Sequence, residues 1–215
     1  MKIRCAIALA GVVGGLSAAH AGTVTARYSG SYAQAVDVTL TPTVNGSINT
    51  VTFNWVRTDV PGPGVDSTID GSFIAYCCEI GQTVSGNTDY TYTVQTAAEH
   101  GFSANQEMLL GRLWSGYKTG VNSPTTSAAF QMAVWELSFD TGADLETGLF
   151  LGNGGPAIVA LAQSYLDSIT SPSYNGGQHE IRVLHHPSAQ DQLIPTPGSI
   201  ALLGLGGLAV GRRRR

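Results

Sequence analysis

The chain is short of charge and almost without lysine. Asp, Glu, Lys and Arg make up 12% of its 215 residues, about half of the roughly 25% found in average soluble domains. This scarcity argues against a cytosolic helical protein and against a charged disordered chain. Lys2 and Lys118 are the two lysines. Glycine, with 27 residues, is instead abundant, and an exported all-β or α+β domain fits that composition best.

The basic residues lie mostly at the two ends of the chain. Lys2 and Arg4 lie at the amino end and Arg212, Arg213, Arg214 and Arg215 at the carboxyl end, which leaves five basic residues between them. All 15 acidic residues lie in that central part, whose formal charge is therefore −10. A nucleic acid is not expected as a partner, because its phosphates are bound by basic surfaces.

The motifs of common enzymes are also absent. The sequence contains no Gly-x-Ser-x-Gly, His-Glu-x-x-His or phosphate-loop motif, so we expect no enzyme, no catalytic residue and no cofactor. No metal site is expected, because His185 and His186 occupy adjacent strand positions, point to opposite sides and are expected to be exposed. Asp140 and Asp144 lack the alternating carboxylates of a calcium loop and are expected to be turn and cap residues.

The amino end has the layout of a secretory signal. A basic start is followed by an apolar run over residues 5–16 and by small residues at Ala19 and Ala21. This order predicts a signal peptide over residues 1–21 that is cut after Ala21. A permanent anchor is the weaker interpretation, because the apolar run is shorter than the roughly 20 residues that cross a bilayer.

Alternating apolar residues predict strands in the first half of the mature chain. They occur over residues 36–40 and 51–55, with Asn45-Gly46 as the turn of a hairpin between them. Further strands are predicted over residues 72–80 and 90–94.

The period of the apolar residues becomes helical after Thr96. Ser103 and Gln106 predict a capping box at the start of one helix, and Ser123-Pro124 predicts the start of a second. Gly155-Pro156 opens a third, and residues 180–184 form a closing strand. The predicted fold is one α+β domain over residues 22–193. Its antiparallel strands, arranged as a sandwich or barrel, precede a three-helix segment and the closing strand.

Two residue types stand out within that domain. Cys77 and Cys78 remain after signal removal, and neighbouring cysteines cannot close an ordinary structural disulfide. Gln131 shares an apolar helix face with Ala128 and Trp135, where a buried amide needs a partner because an unpaired one costs roughly 1–3 kcal/mol. Taken alone, these residues are better explained as a buried apolar cysteine and a core amide bonded to the main chain.

The pair of motifs around these residues resembles the thioester domains of bacterial surface adhesins. The motifs are Tyr76-Cys77-Cys78 and the segment from Phe130 to Trp135, with Gln131 as its second residue. The resemblance covers about residues 72–139. It implies that the thiol of Cys77 is joined to the side-chain carbonyl of Gln131, with Tyr76, Phe130 and Trp135 as packing residues. Cys78 occupies a position where the family usually has an aliphatic residue. This second thiol beside Cys77 is therefore the alternative partner of Gln131.

An internal thioester implies covalent attachment instead of turnover. An amine or hydroxyl of a partner attacks the activated acyl group and frees the cysteine. The expected partner is an extracellular polysaccharide or a surface protein. The alternative function is that of a noncovalent structural or carbohydrate-binding component of the extracellular matrix.

The carboxyl end resembles a PEP-CTERM sorting tail over residues 194–215. Pro195 and Pro197 form its Pro-x-Pro motif, with Thr196 in place of the usual Glu. A short apolar stretch over residues 201–211 and the cluster Arg212–Arg215 complete the three parts. The resemblance implies export to the cell surface or beyond, transient or permanent anchoring in the inner membrane, and a sorting protease as a partner.

Overall fold

The computed structural model describes residues 22–30, 33–69 and 71–196. The predicted signal peptide, Pro197, the apolar stretch of the tail and Arg212–Arg215 lie outside the described residues. In chain order the strands are β1 (Thr23–Gly30), β2 (Ala33–Leu40), β3 (Val44–Val51), β4 (Phe53–Arg57), β5 (Ser72–Cys77), β6 (Asp89–Thr96), β7 (Phe150–Gly152), β8 (Ile181–His185) and β9 (Gln192–Pro195). The α-helices are α1 (Ala97–His100), α2 (Ala104–Tyr117), α3 (Pro124–Phe139) and α4 (Pro156–Thr170).

Six antiparallel strands close into a barrel. Their order around the barrel is β1-β4-β5-β9-β8-β6, and β6 pairs with β1 to close it. Alternate residues of a strand point to opposite faces, and one set of aromatic rings packs together around Trp55. Its neighbours are Tyr28, Phe53, Phe73, Tyr90 and Tyr92. The α+β class is therefore confirmed, with the barrel as the form of its first half.

The second sheet corrects the predicted hairpin. It has the order β3-β2-β7, and the turn between β2 and β3 runs over residues 41–43. The Asn45-Gly46 turn prediction was wrong, because Asn45 pairs with Thr39 and Gly46 with Val38 inside the ladder. Pro42 supplies the turn residue instead. The apolar run over residues 51–55 divides between β3 and β4, which belong to different sheets.

The helix starts follow the local capping signals. Ser103 and Gln106 form the capping box of α2, and Ser123 caps α3 with Pro124 at its first turn. α3 is buried on all sides from Ser127 to Leu137 and contacts α2, α4 and strands of both sheets. A helix that is apolar all round lies in the interior, and α3 is accordingly the central helix of the fold.

The carboxyl boundary of the domain lies farther along than expected. β9 ends at Pro195, and the main-chain N–H of Thr196 donates to the oxygen of Glu180 at 2.7 Å. Ile194, Pro195 and Thr196 therefore belong to the folded domain and not to a separate tail beginning at residue 194. Within the described part of the chain, no helix combines the length and the apolar character needed to cross a membrane.

Candidate functional site

Cys77 lies where the barrel ladder is interrupted. It is the last residue of β5, and the pairing of β5 with β4 ends two residues earlier, at Ala75 opposite Phe53. The N–H of Cys78 donates to Asp191 on the β9 side. Because successive residues of an antiparallel strand direct their main-chain groups to opposite sides, the N–H and C=O of Cys77 face the side that β4 has left.

The side chain of Gln131 bonds both of those main-chain groups. Its Oε1 accepts from the N–H of Cys77 at 3.1 Å, and its Nε2 donates to the C=O of Cys77 at 2.6 Å. Cys77 is 1% exposed and Gln131 0%. The Gln131 carboxamide therefore makes the two main-chain hydrogen bonds that β4 would otherwise make at this position. It lies against the main chain of Cys77, its predicted partner.

The thiol of Cys77 lies in a dry environment. Burial raises its pKa to about 12, and the nearby indole N–H of Trp135 counteracts part of that rise. The thiol donates a hydrogen bond to the main-chain oxygen of Glu79. Trp135 follows Gln131 by about one helical turn, so the same face of α3 brings the amide to the main chain of Cys77 and the indole to its sulfur.

Tyr76 and Phe130 fix the helix against the strand. Their ring centroids are 4.5 Å apart, and Trp114 lies edge-on to both rings. The hydroxyl of Tyr76 bonds that of Thr52 at 3.0 Å. Tyr76 and Phe130, two of the three predicted packing residues, therefore pack together on the face of β5 opposite the Cys77 side chain, whereas Trp135 lies near the Cys77 sulfur.

Cys78 shares that opposite face with Tyr76. It is buried, and burial raises the pKa of its thiol well above the ordinary value. The hydrogen bonds of Gln131 among the described residues go to Cys77 and not to Cys78. This geometry favours Cys77 as the residue paired with Gln131.

A second group of polar residues adjoins the site and escaped the sequence interpretation. The side chain of His185 is 41% exposed, as expected, but its Nδ1 lies 2.9 Å from Asp191 Oδ2 and so has a carboxylate partner that was not predicted. The N–H of Asp191 donates to Glu79 Oε1 at 3.2 Å. His100 Nδ1 lies 3.8 Å from the same Asp191 oxygen. The spacing of His185 and Asp191 across a tight β-connection was the available signal, whereas His100 comes from a distant helix.

A cleft of about 820 Å³ opens beside the barrel and shares Trp114 with the packing around Tyr76 and Phe130. Its lining combines the apolar Phe73, Ile74 and Trp114 with the polar Asn54 and Lys118. Neither Cys77 nor Gln131 lines it. Half-burial lowers the pKa of Lys118.

The aspartates after α3 have structural partners. The carboxylate of Asp140 accepts from the N–H groups of Leu149 and Phe150. Asp144 accepts from the N–H of Glu146. Both act as turn and cap residues, as predicted.

Comparison with models of known protein families, with curated proteins and with solved structures finds no match to this chain. Its function must therefore be inferred from its own residues and their geometry.

Proposed function

We propose that this protein is an exported surface or matrix protein that attaches covalently to a partner through a thioester between Cys77 and Gln131. The observation that carries the proposal is the pair of hydrogen bonds between the Gln131 carboxamide and the main chain of Cys77. A signal peptide over residues 1–21 and a sorting tail after the folded domain would deliver the protein. The partner is an extracellular polysaccharide or a surface protein that presents an amine or a hydroxyl.

The site supports activation of the amide. The N–H of Cys77 donates to Oε1 of Gln131, the oxygen on which negative charge develops when a nucleophile adds to the carbonyl. A donor held in place at a buried oxygen stabilises such a transition state. Because the sulfur and this donor belong to one residue, the hydrogen bond that holds the donor also anchors the residue that would supply the nucleophile.

Bond formation needs no additional reagent. The sulfur of Cys77 attacks Cδ of Gln131, and the bond from Cδ to Nε2 breaks. The thiol proton goes to the departing nitrogen, which leaves as ammonia. Because the pKa of the thiol is about 12, the sulfur is protonated at neutral pH, and the reaction must deliver that proton to the leaving group.

Burial of the pair protects the product from water. Gln131 is fully buried, and Cys77 nearly so, so hydrolysis of a thioester at this position requires local opening of the fold. Capture requires the same opening, through which a partner amine attacks Cδ: the bond from carbon to sulfur breaks, and the amine proton passes to Cys77. The partner is then joined to Gln131 by an amide, or by an ester if a hydroxyl attacks.

The scarcity of competing amines is consistent with such a function. Lys118 is the one lysine of the described residues. It lines the cleft instead of the Cys77 site. Self-capture by a lysine of the same domain would therefore require Lys118 to leave the cleft and reach the buried Gln131.

The test is the intact mass of the purified protein after denaturation. We expect a mass lower by one ammonia than that of the unmodified chain, and addition of one methylamine when the protein is treated with that amine. Cys77→Ala and Gln131→Ala should each abolish both signals.

Cys78→Ala is the matched control, because it removes the neighbouring buried thiol and leaves Cys77. It should retain the mass deficit and the reaction with methylamine. A parent protein with the mass of the unmodified chain would refute the proposed function. Loss of the mass deficit in Cys78→Ala, with the deficit retained in Cys77→Ala, would show that Cys78 and not Cys77 supplies the sulfur.

The cleft supports a second candidate, a noncovalent carbohydrate-binding role. Asn54 and Lys118 offer hydrogen-bond donors beside the apolar Phe73 and Ile74, a combination typical of small-molecule pockets. In that case Asn54→Ala would abolish binding to extracellular polysaccharide in a pull-down, while Cys77→Ala would leave it unchanged.

A further inference from the structure

Three ligand-type side chains converge beside β8, and the thioester chemistry uses none of them. His185 ends β8, Asp191 precedes β9, and His100 ends α1. One donor atom from each lies within 4.8 Å of the other two. The chain thus brings two imidazoles and a carboxylate from three elements to one point.

The spacing of the donors is that of ligands on a single ion. His185 Nδ1 lies 2.9 Å and His100 Nδ1 3.8 Å from Asp191 Oδ2. Ligands that each lie about 2.0–2.2 Å from a tetrahedral zinc ion are roughly 3.4 Å apart. These two distances fall on either side of that value, and the imidazole donors lie within 4.8 Å of each other, so side-chain rotation about an ion would have to bring the two imidazoles closer together. The distance from His100 is also too long for a hydrogen bond.

The residues around the ligands hold the carboxylate in place. Asp191 Oδ1 accepts from the N–H of His186 at 2.8 Å, which leaves Oδ2 directed at the two imidazoles. The N–H of Asp191 donates to Glu79. Such outer contacts orient a metal ligand, and the carboxylate of Glu79 adds negative charge beside the site.

One side of the cluster is open. The side chain of His185 is 41% exposed, that of His100 18%, and that of Asp191 8%. An ion can therefore enter from solvent, and a fourth position is left for water or for a group of a partner. Three protein ligands with an open position are typical of reactive zinc sites, whereas structural sites are closed by four.

We propose that His100, His185 and Asp191 bind a divalent transition metal ion, with zinc as the preferred ion. Two imidazoles and one carboxylate suit zinc, because it accepts nitrogen and oxygen ligands in tetrahedral geometry. The site lies next to Glu79, which follows Cys77 by two residues in the sequence. Metal binding here does not require the proposed thioester.

The test is calorimetric titration of Zn²⁺ into the purified full chain, prepared without a histidine tag. We expect one ion per chain. His185→Ala and His100→Ala should each weaken the affinity by at least about tenfold, since loss of even an outer partner costs that much. Asp191→Asn should do the same while keeping an oxygen that accepts from the N–H of His186.

Two controls separate this site from other sources of zinc binding. His179→Ala removes a histidine outside the cluster and should leave the affinity unchanged. Cys77→Ala/Cys78→Ala removes both thiols and should also leave it unchanged. Circular dichroism of every variant verifies the fold.

The absorption spectrum of the Co²⁺-substituted protein gives a second readout. It should show tetrahedral ligand-field bands without the charge-transfer band of a cobalt thiolate. Absence of zinc binding by the parent protein would overturn the proposal, as would binding that survives both His100→Ala and His185→Ala or is lost with the two cysteines. Because the mass deficit of the thioester is measured separately, failure here leaves the proposed attachment function unaffected.

Discussion

The amide of Gln131 should contribute measurably to stability because it replaces a missing strand. The test uses Cys77→Ala as the parent, since this change prevents a thioester and leaves the main chain of residue 77 intact. Adding Gln131→Leu then removes the acceptor at 3.1 Å and the donor at 2.6 Å in one step.

The expected loss follows from the two main-chain groups left without partners. Each buried, unpaired group costs about 1–3 kcal/mol, and the apolar surface of leucine, fully buried at this position, offsets about 1–2 kcal/mol of the total. We therefore expect the free energy of unfolding to fall by about 2.5 kcal/mol, the midpoint of the range of about 0–5 kcal/mol that remains after the offset, with the direct loss of two hydrogen bonds as the cause.

Urea denaturation of both proteins, under conditions where unfolding is two-state, measures the difference. Gln178→Leu in the same background is the control, because Gln178 is exposed and its replacement should change the free energy by less than about 0.5 kcal/mol. Hydrogen exchange of the residue 77 amide gives an independent readout, and its protection should fall with Gln131→Leu. A loss no larger than that of the control, with protection retained, would refute the role assigned to Gln131.

Three further predictions concern the surroundings of the site. Gly111→Ala should lower thermal stability by about 1–3 kcal/mol, because the new Cβ would lie 2.1 Å from the main-chain oxygen of His179; Gly116→Ala in the same helix meets only Tyr174 Oη at 3.5 Å and should be neutral or stabilising. Burial raises the pKa of Glu136 from 4.5 to about 8, so its stabilising contribution is complete below about pH 4.5 and is lost as the pH rises towards 8. As the pH rises from about 4.5 to about 8, the free energy of unfolding of Glu136→Gln, measured by urea titration, should therefore increase by about 2–4 kcal/mol relative to that of the parent. A difference between the two proteins that does not change with pH would contradict the assignment. Because the thiol proton is delivered to the leaving nitrogen and the pKa of the Cys77 thiol is about 12, the rate of thioester formation after refolding, followed by mass, should change little between about pH 6 and pH 9, whereas a tenfold rise per pH unit would show that the proton is first lost to solvent.

Local signals in the sequence were sufficient for α2, α3 and α4, whereas the four-residue α1 was not predicted. Ser103 with Gln106, and Ser123 with Pro124, each define a helix start within four residues. These helix starts can therefore be predicted without knowledge of any distant contact. The hairpin was predicted at the wrong place because Asn45-Gly46 and Pro42 are both turn signals, and pairing along β2 decides between them. β1, β7 and β9 were missed because their pairing with distant strands is not a local property.

The candidate site divides in the same way. The motifs around Cys77 and Gln131 led to a pair that lies in direct contact. The role of the Cys77 N–H as donor to Gln131 could not be predicted, because it depends on β4 leaving the ladder at Phe53. His100 could not be linked to Asp191 either, since the two meet only when α1 packs beside β8.

The most direct test of the account is the covalent state of two side chains. The purified protein is denatured, blocked at free thiols and digested, and the peptides are sequenced by mass spectrometry. A single cross-linked species should contain Cys77 and Gln131, lighter by one ammonia than the sum of its two peptides. Recovery of a blocked Cys77 and an unmodified Gln131 in separate peptides, from protein never exposed to an amine or to alkaline conditions, would contradict it.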